Sequence, residues 1–363
     1  MADRLGRLRS GDPRASRRRR RRGDRRLHPH RHPADGSTGT RPSRSRRPGQ
    51  RLDAAMSRVL HPRPTLYLVD ASMYVFRAWH SMPDEWHDDD GWPLNAVHGF
   101  ARFLVELIER ERPQHVVVAF DEALDSCFRN RLYPEYKANR EPAPEELRRQ
   151  FAYCKALSAA LGLAVLAHTD YEADDLIGSA LVQSRAHNTR GVIVSADKDL
   201  SQLLQGDDEQ FDFARDLRWG EAGVKAKHGV QAHQIADYLA LCGDAVDNIP
   251  GVPGIGQKTA AVLISHFGSL DALLDRVDEV PFLRQRGSAR AAASLREHRE
   301  KVLMYRQLTT IAVDVPLDPH QPPFARGNAD AATLSSLCDS LRFGPLTRRR
   351  LQVAAGLDST SPA

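Results

Sequence analysis

Nine carboxylates fall in five short motifs. They are Asp70 closing TLYLVD, Asp121 closing HVVVAFD, the trio Glu172, Asp174 and Asp175 in YEADDLI, the pair Asp197 and Asp199 in SADKDL, and the pair Asp244 and Asp247 in CGDAVDN. Each stands where an apolar run gives way to a loop, the position from which side chains converge on a site. Carboxylates gathered in one place repel one another, so a fold that collects them implies cations to hold them. The ligands on offer are oxygens, which suits Mg²⁺ or Mn²⁺ rather than zinc. Two such ions about 3.5–4 Å apart serve phosphodiester hydrolysis by activating water and stabilising the leaving oxygen. Bland roles compete for individual acids. Glu172, Asp174 and Asp175 open a helix, where acids favour the dipole, and Asp197 and Asp199 suit a cap and a first turn. Asp70 and Asp121 close strands and have no capping role of equal weight. Four consecutive strands delivering acids to one edge favour the metal reading.

Two further segments carry chemistry. GVPGIGQKTA (Gly251–Ala260) sets three glycines before a helix starting near Gln257. Its backbone N–H groups and helix N-terminus can hold a DNA phosphate, with Gly254, Gly256, Gln257, Lys258 and Thr259 the contact candidates. An ordinary turn between helices is the plain alternative. The stretch after Asp121 carries Arg129, Arg131, Lys137, Arg140, Arg148 and Arg149, with Tyr133 and Tyr136 interleaved. Basic residues with aromatics suit a single-stranded backbone and exposed bases, which makes Tyr136 a DNA-contact candidate. A solvated amphipathic helix accounts for Arg148 and Arg149 better than for Arg129, Lys137 or Arg140.

The elements that must position these residues alternate. Thr65–Asp70, His115–Asp121, Gly162–His168 and Gly191–Asp197 read as short buried strands, separated by helical segments. Alternation of this kind predicts an α/β fold with a parallel sheet covered on both faces, whose functional crevice lies at the carboxyl ends of the strands. After about residue 225 the pattern turns helical. Residues 316–363 are Pro-rich, then weakly helical, then polar.

Composition bounds the rest. The chain has 363 residues and a net charge of +5. Residues 1–55 hold 18 arginines, no lysine and 5 aspartates, a balance of +13 that leaves −8 on the remainder. An acidic body suits DNA only where metal offsets its site and basic residues are localised. The first 55 residues are low-complexity and expected to be disordered. The reading favoured for them is translation upstream of a true start at Met56; a basic arm that contacts DNA is the competing one. Cys127, Cys154, Cys242 and Cys338 show no CxxC or zinc spacing. No apolar run approaches the roughly 20 residues of a membrane span, and a cytoplasmic location is expected.

LYLVDASMYVFRAWH, FDEALDSCFRNRLYPEYKANRE, YEADDLIGSAL, SADKDLSQLL and LCGDAVDNIPGVPGIGQKTA resemble, in collinear order from about Leu66 to Leu274, the motifs of the bacterial and phage 5′–3′ exonuclease and flap endonuclease family. That family includes the N-terminal nuclease domain of bacterial DNA polymerase I. The resemblance implies a PIN-like (resolvase-like) parallel-sheet nuclease domain over 64–225, with a helical arch at 122–150. A helix–three-turn–helix DNA-binding subdomain over 226–315 and a C-terminal extension would follow. It implies Mg²⁺-dependent (or Mn²⁺-dependent) hydrolysis with two ions, acting as a monomer on branched, flapped or nicked DNA and on RNA primers. By motif position Asp70, Asp121, Glu172, Asp174, Asp175 and Asp197 would serve the first metal or its surroundings, and Asp199, Asp244 and Asp247 the second. Arg129, Lys137 and Arg140 would belong to the arch that steadies the scissile phosphate, and Arg77 matches the arginine after the first acid. Carbonyls of Leu241, Cys242, Pro250, Val252 and Ile255 would hold a K⁺ that bridges to DNA phosphate. The usual glycine after the first acid is Ala71 here. No polymerase follows, so a stand-alone nuclease is expected. A catalytically weak branched-DNA-binding module and a PIN-type ribonuclease are the rival readings.

Overall fold

The computed structural model describes residues 63–122, 127–317 and 324–357, so the expectations for residues 1–55 lie outside the described residues. Six strands, β1 (Thr65–Asp70), β2 (His115–Asp121), β3 (Ala164–His168), β4 (Arg190–Val194), β5 (Glu209–Asp212) and β6 (Leu217–Trp219), form one sheet in the order β3-β2-β1-β4-β5-β6. All neighbours are parallel except β5 and β6. The order reverses between β1 and β4, and such a reversal opens a crevice at the carboxyl ends of the strands. The fold class is the one the alternation implied. β5 and β6 were not legible, since EQFD and LRW are too short to carry a period.

The strands show why both faces are covered. In β1, Leu66 and Leu68 enter one core while Tyr67 and Val69 enter the other, and β2 divides likewise between Val117 and Ala119 and the set Val116, Val118 and Phe120. That is the period of two expected of a pleated strand. On one face lie α1 (Ala71–Ser81), α2 (Asn95–Glu111) and α4 (Glu145–Ala160). The short α3 (Phe128–Leu132) precedes α4, and α5 (Ala173–Ala186) packs on the opposite face. That second core runs without a break from α5 through α6 (Glu221–His228) and α7 (Ile235–Cys242) into α8 (Gln257–Phe267), α9 (Leu270–Asp275), α10 (Ser288–Glu297) and α11 (Arg299–Thr309). Sheet and helical subdomain therefore share apolar packing.

Two features differ from expectation. The described residues of the segment expected as a helical arch, 122–150, hold α3, a run of turns and the start of α4. Its turns lie on the 245–248 loop, where Asn139 donates to Ala245 O at 2.9 Å and Asn248 to Glu135 O at 2.7 Å. The C-terminal extension is part of the fold: Ala325 bridges His115 beside β2, and α12 (Ala331–Ser340) and α13 (Pro345–Ala354) bury Leu334, Cys338, Leu341 and Leu351 in the core under α2 and α4.

Candidate active site

The crevice at the reversal point is lined by acids from three adjacent strands. Asp70 ends β1, where Oδ1 accepts the Met73 N–H at 3.1 Å and caps α1, while Oδ2 accepts the Ser195 hydroxyl at 2.8 Å from just beyond β4. Asp121 ends β2 and accepts the Ala173 N–H at 2.8 Å, at the start of α5; its own N–H donates to Ser72 Oγ at 2.8 Å. Both strand-closing acids thus satisfy helix-start N–H groups, a role their sequence position did not suggest. At Asp121 the bond occupies one oxygen and fixes where the other points, whereas both oxygens of Asp70 are engaged.

Electrostatics link these acids to two more. Burial, then the charge of Asp121, pushes the Asp70 carboxyl up to about 7. Burial also raises Asp121, with Glu172 adding and Lys137 opposing. Asp174, which makes no hydrogen bond among the described residues, is held well above the usual carboxylate range by burial and by Asp197 and Asp70. Four carboxylates from β1, β2, α5 and the loop after β4 therefore share one field. That cost is the mark of a site built for cations.

A second group is tighter. Asp199 follows β4, and Asp244 and Asp247 sit in the loop after α7. Each of the three offers an oxygen within 4.8 Å of the others. Asp199 Oδ1 is buried with no hydrogen-bond donor, and burial with the charge of Asp197 lifts this carboxyl to about 7. A buried carboxylate oxygen that makes no hydrogen bond, with the Lys198 ammonium 3.4 Å away and two more carboxylates beside it, fits a site for a hard cation, and the all-oxygen donor set fits Mg²⁺ or Mn²⁺. Among the described residues no trio of the strand-end acids closes to the same distance.

Basic side chains stand against the acids. Lys137 donates to Glu172, and Arg140 donates to Asp247 at 2.6 Å. The Lys137 backbone is left-handed (φ 55°), held by its N–H bond to Asp247 O at 3.0 Å. Lys198, a position to which the sequence reading gave no role, donates to Asp244 and lies 3.4 Å from Asp199. The only signal for it was its place between two acids in SADKDL. A cavity of about 310 Å³ opens beside these groups, lined by Phe76, Asp121, Lys137, Arg140 and Glu172 among others.

Arg129, Asp175 and Tyr136, three of the expected site residues, are buried. Arg129 is buried, not presented to substrate: it makes a two-pronged pair with Asp175 at 2.7 and 2.8 Å, reaches Glu172 at 2.9 Å, and donates to the carbonyls of Leu308 and Thr310. Asp175 is fully buried, and besides Arg129 its oxygens accept the N–H groups of Glu172 and Ala312, so no lone pair is left facing the acid cluster. Tyr136, 3 % exposed, points its hydroxyl at Glu172 (2.9 Å) and offers no face for a base. Arg77 is exposed on α1 and makes no hydrogen bond or ion pair among the described residues.

The glycine-rich hairpin sits where α7 ends. Gly243 and Gly251 cross so closely that a Cβ on Gly251 would lie 2.4 Å from Gly243 N, and both have positive φ (80° and 70°). Val252 and Ile255 anchor the loop in the core, whereas Gly254, Gly256, Gln257 and Lys258 are exposed and Thr259 half-buried at the start of α8. Of the carbonyls considered for K⁺, those of Leu241 and Val252 already accept N–H groups from Val252 (2.8 Å) and Ile255 (3.0 Å). Those of Cys242, Pro250 and Ile255 accept none among the described residues.

A doubly covered parallel sheet with acids at its reversal point, joined to a helical hairpin subdomain, defines a class of resolvase-like nuclease domains. Two consecutive family models match: 5′-3′ exonuclease, N-terminal resolvase-like domain, over residues 65–229, and 5′-3′ exonuclease, C-terminal SAM fold, over residues 230–332. The chain belongs to the 5′-3′ exonuclease family. DNA polymerase I of Rhizobium leguminosarum is 36% identical over 304 residues, covering 81% of this chain and 29% of the relative. DNA polymerase I of Pseudomonas aeruginosa is 40% identical over 279 residues, covering 77% and 30%. The chain thus spans about 30% of the length of these curated relatives. Among solved structures, a bacteriophage T5 flap endonuclease in a pseudo-enzyme-product complex with DNA and metal ions aligns with a TM-score of 0.56 at 20% identity, covering 80% of this chain and 99% of the other. T5 5′-exonuclease with bound zinc aligns at 0.55 and 23%, with the same coverage. At these identities the structures support the fold alone.

Proposed function

We propose that this chain is a structure-specific 5′ nuclease that hydrolyses phosphodiester bonds of flapped, nicked or branched DNA, and of RNA primers, in replication and repair. The observation that carries the reading is the meeting of two acid sets. The sheet edge supplies Asp70, Asp121, Asp174 and Asp197, and the loop after α7 brings Asp244 and Asp247 to Asp199. The helical subdomain that would grip a duplex thereby also completes a ligand set beside the crevice. The fold is shared with a T5 flap endonuclease bound to DNA and metal ions, which is consistent with the same reading.

The sheet-edge acids and Glu172 would hold one Mg²⁺ or Mn²⁺, and Asp199, Asp244 and Asp247 a second. Bound there, the ions supply Lewis acidity for water activation and offset the charge on the phosphate. The chain's own residues do the rest. Lys137 and Arg140, which line the cavity, orient the scissile phosphate, and Tyr136 and Arg129 fix Glu172 through its Oε2. The exposed first turn of α8, with Gly254, Gly256, Gln257, Lys258 and Thr259, takes a phosphate of the duplex. The Cys242, Pro250 and Ile255 carbonyls offer a K⁺ its oxygens. We take the working form to be a cytoplasmic monomer.

Cleavage of a 5′-labelled flap duplex in Mg²⁺ and in EDTA tests the reading. Asp174→Ala should lower single-turnover cutting about a hundredfold or more while leaving flap binding in place, because a group serving the transition state acts mainly there. Undiminished cutting by the variant, or cutting by the unsubstituted chain in EDTA, sinks it. Binding without any cutting in Mg²⁺ would favour a branched-DNA-binding module instead.

A further inference from the structure

Beyond the hairpin, a surface is left uncommitted. A 3₁₀ turn over Val277–Phe282 ends in Phe282, which is 85 % exposed, the most exposed large apolar side chain among the described residues. A single exposed apolar residue needs no explanation by itself. This one is followed by Arg284, Arg286 and Arg290, all exposed, and none makes an ion pair or side-chain hydrogen bond among the described residues. The acids nearest in sequence are already matched: Glu279 pairs with Arg276 at 2.6 Å and Asp278 with Arg296. The local excess is therefore positive on a body that is otherwise acidic.

The patch is tied to the hairpin. Gln285 donates to Thr259 Oγ1 at 3.3 Å, at the first turn of α8, and Ser294 of α10 donates to Pro253 O at 2.8 Å. Its own loop is held in shape by Ser288, whose hydroxyl lies 2.7 Å from Gln285 O and 3.2 Å from Leu283 O. Cations kept unpaired on a preorganised loop are ready for an anionic partner at little ordering cost.

We infer that Phe282, Arg284, Arg286 and Arg290 form a second contact surface for the double-stranded arm of the DNA, continuing the path from the phosphate held at α8. The inference rests on the proposed DNA substrate. The arginines neutralise successive phosphates, and the phenyl ring lies against the sugar edge of the minor groove, where apolar side chains commonly bear on a duplex. The exposed Ala289 and Ala293 keep this side of α10 low enough for the backbone to approach. Charge complementarity favours a duplex over a protein partner, which would leave three arginines in want of acids.

The test uses the full chain and a fluorescent flap duplex in EDTA, with anisotropy read across a range of salt. The triple variant Arg284→Ala, Arg286→Ala, Arg290→Ala should bind on the order of tenfold more weakly and lose about 2 to 3 from the log–log salt slope, at about 0.9 per phosphate contact. Its affinity for a single-stranded oligonucleotide should hold. Phe282→Ala should weaken duplex binding several-fold with the salt slope unchanged. All four side chains lie on the surface, so circular dichroism should show the native fold. Unaltered duplex affinity and slope in both variants overturns the inference and leaves Phe282 as a protein contact. Equal losses on duplex and single strand overturn it as well. Failure of the unsubstituted chain to cut the flap in Mg²⁺ would instead count against the nuclease reading, so the two failures are distinguishable.

Discussion

Arg129, expected beside the scissile phosphate, lies inside the protein. Its side chain is 3% exposed and meets two carboxylates and two carbonyls, spending its forked donors on protein. What it joins is informative: α3, the start of α5, and the stretch after α11 that carries Thr310 and Ala312. Removing one partner of a buried, fully bonded pair leaves the other charge stranded, which commonly costs about 3–5 kcal/mol. Arg129→Met should therefore lower unfolding free energy by about that amount in urea titrations. Restoring neutrality with Asp175→Asn in the same chain should recover part of it, a coupling visible in a double-mutant cycle. A substrate-contacting arginine would instead leave the titration unchanged and alter cleavage alone. Nothing in FRNRL reveals this, because an arginine in a basic, aromatic-rich run looks the same whether it faces a carboxylate inside or a phosphate outside.

At the scale of elements, legibility followed the strength of the local pattern. Thr65–Asp70 and His115–Asp121 are β-branched, apolar and closed by a polar residue, and both were bounded to the residue. The fourth strand was read to Asp197 but ends at Val194, because the chain leaves the sheet to let Ser195 reach Asp70. That bond is a tertiary event with no sequence trace. Between α3 and α4 the basic residues fit a helix or turns equally, and there the chain forms turns that bond to the 245–248 loop. The hairpin was legible because glycine is required there for a physical cause. Gly251→Ala would place a methyl 2.4 Å from a backbone nitrogen at positive φ, whereas nothing lies within 4 Å of a Cβ on Gly256, whose φ is −87°. Gly251→Ala should cost about 1–3 kcal/mol of stability, as strained backbone positions do, and Gly256→Ala about 0.5 kcal/mol or less. Equal thermal shifts for the two variants would show that the crossing of Gly243 and Gly251 is slack.

Across the whole molecule, the acid sets make the metal-free fold dependent on pH in a defined direction. Asp70 and Asp199 sit at about 7 against an ordinary 3.8, and burial raises Asp121, Asp174 and Asp247 too. Between about pH 4 and 7 the folded, metal-free protein therefore holds protons that the unfolded chain has released, so these groups make stability fall as pH rises through that window. Glu172 works the other way: burial opposes its charge, but Lys137 and Arg129 more than compensate and depress it, so its contribution is present above its ordinary 4.5 and lost as pH falls below. His98 and His228, lowered by burial, favour the folded state as pH climbs toward 6.5. Those two opposing contributions are common to metal-free and metal-bound protein only if the ions touch neither, which the positions of His98 on α2 and His228 on α6 satisfy. The quantity to measure is accordingly the melting temperature in Mg²⁺ minus that in EDTA. An ion that binds only the folded, deprotonated site stabilises by mass action, so this difference should be small near about pH 5 and grow toward about pH 8. Substituting Asp199→Asn should flatten the growth by removing one titrating ligand. A difference that stays constant with pH would mean the carboxylates are not where the divalent ion binds.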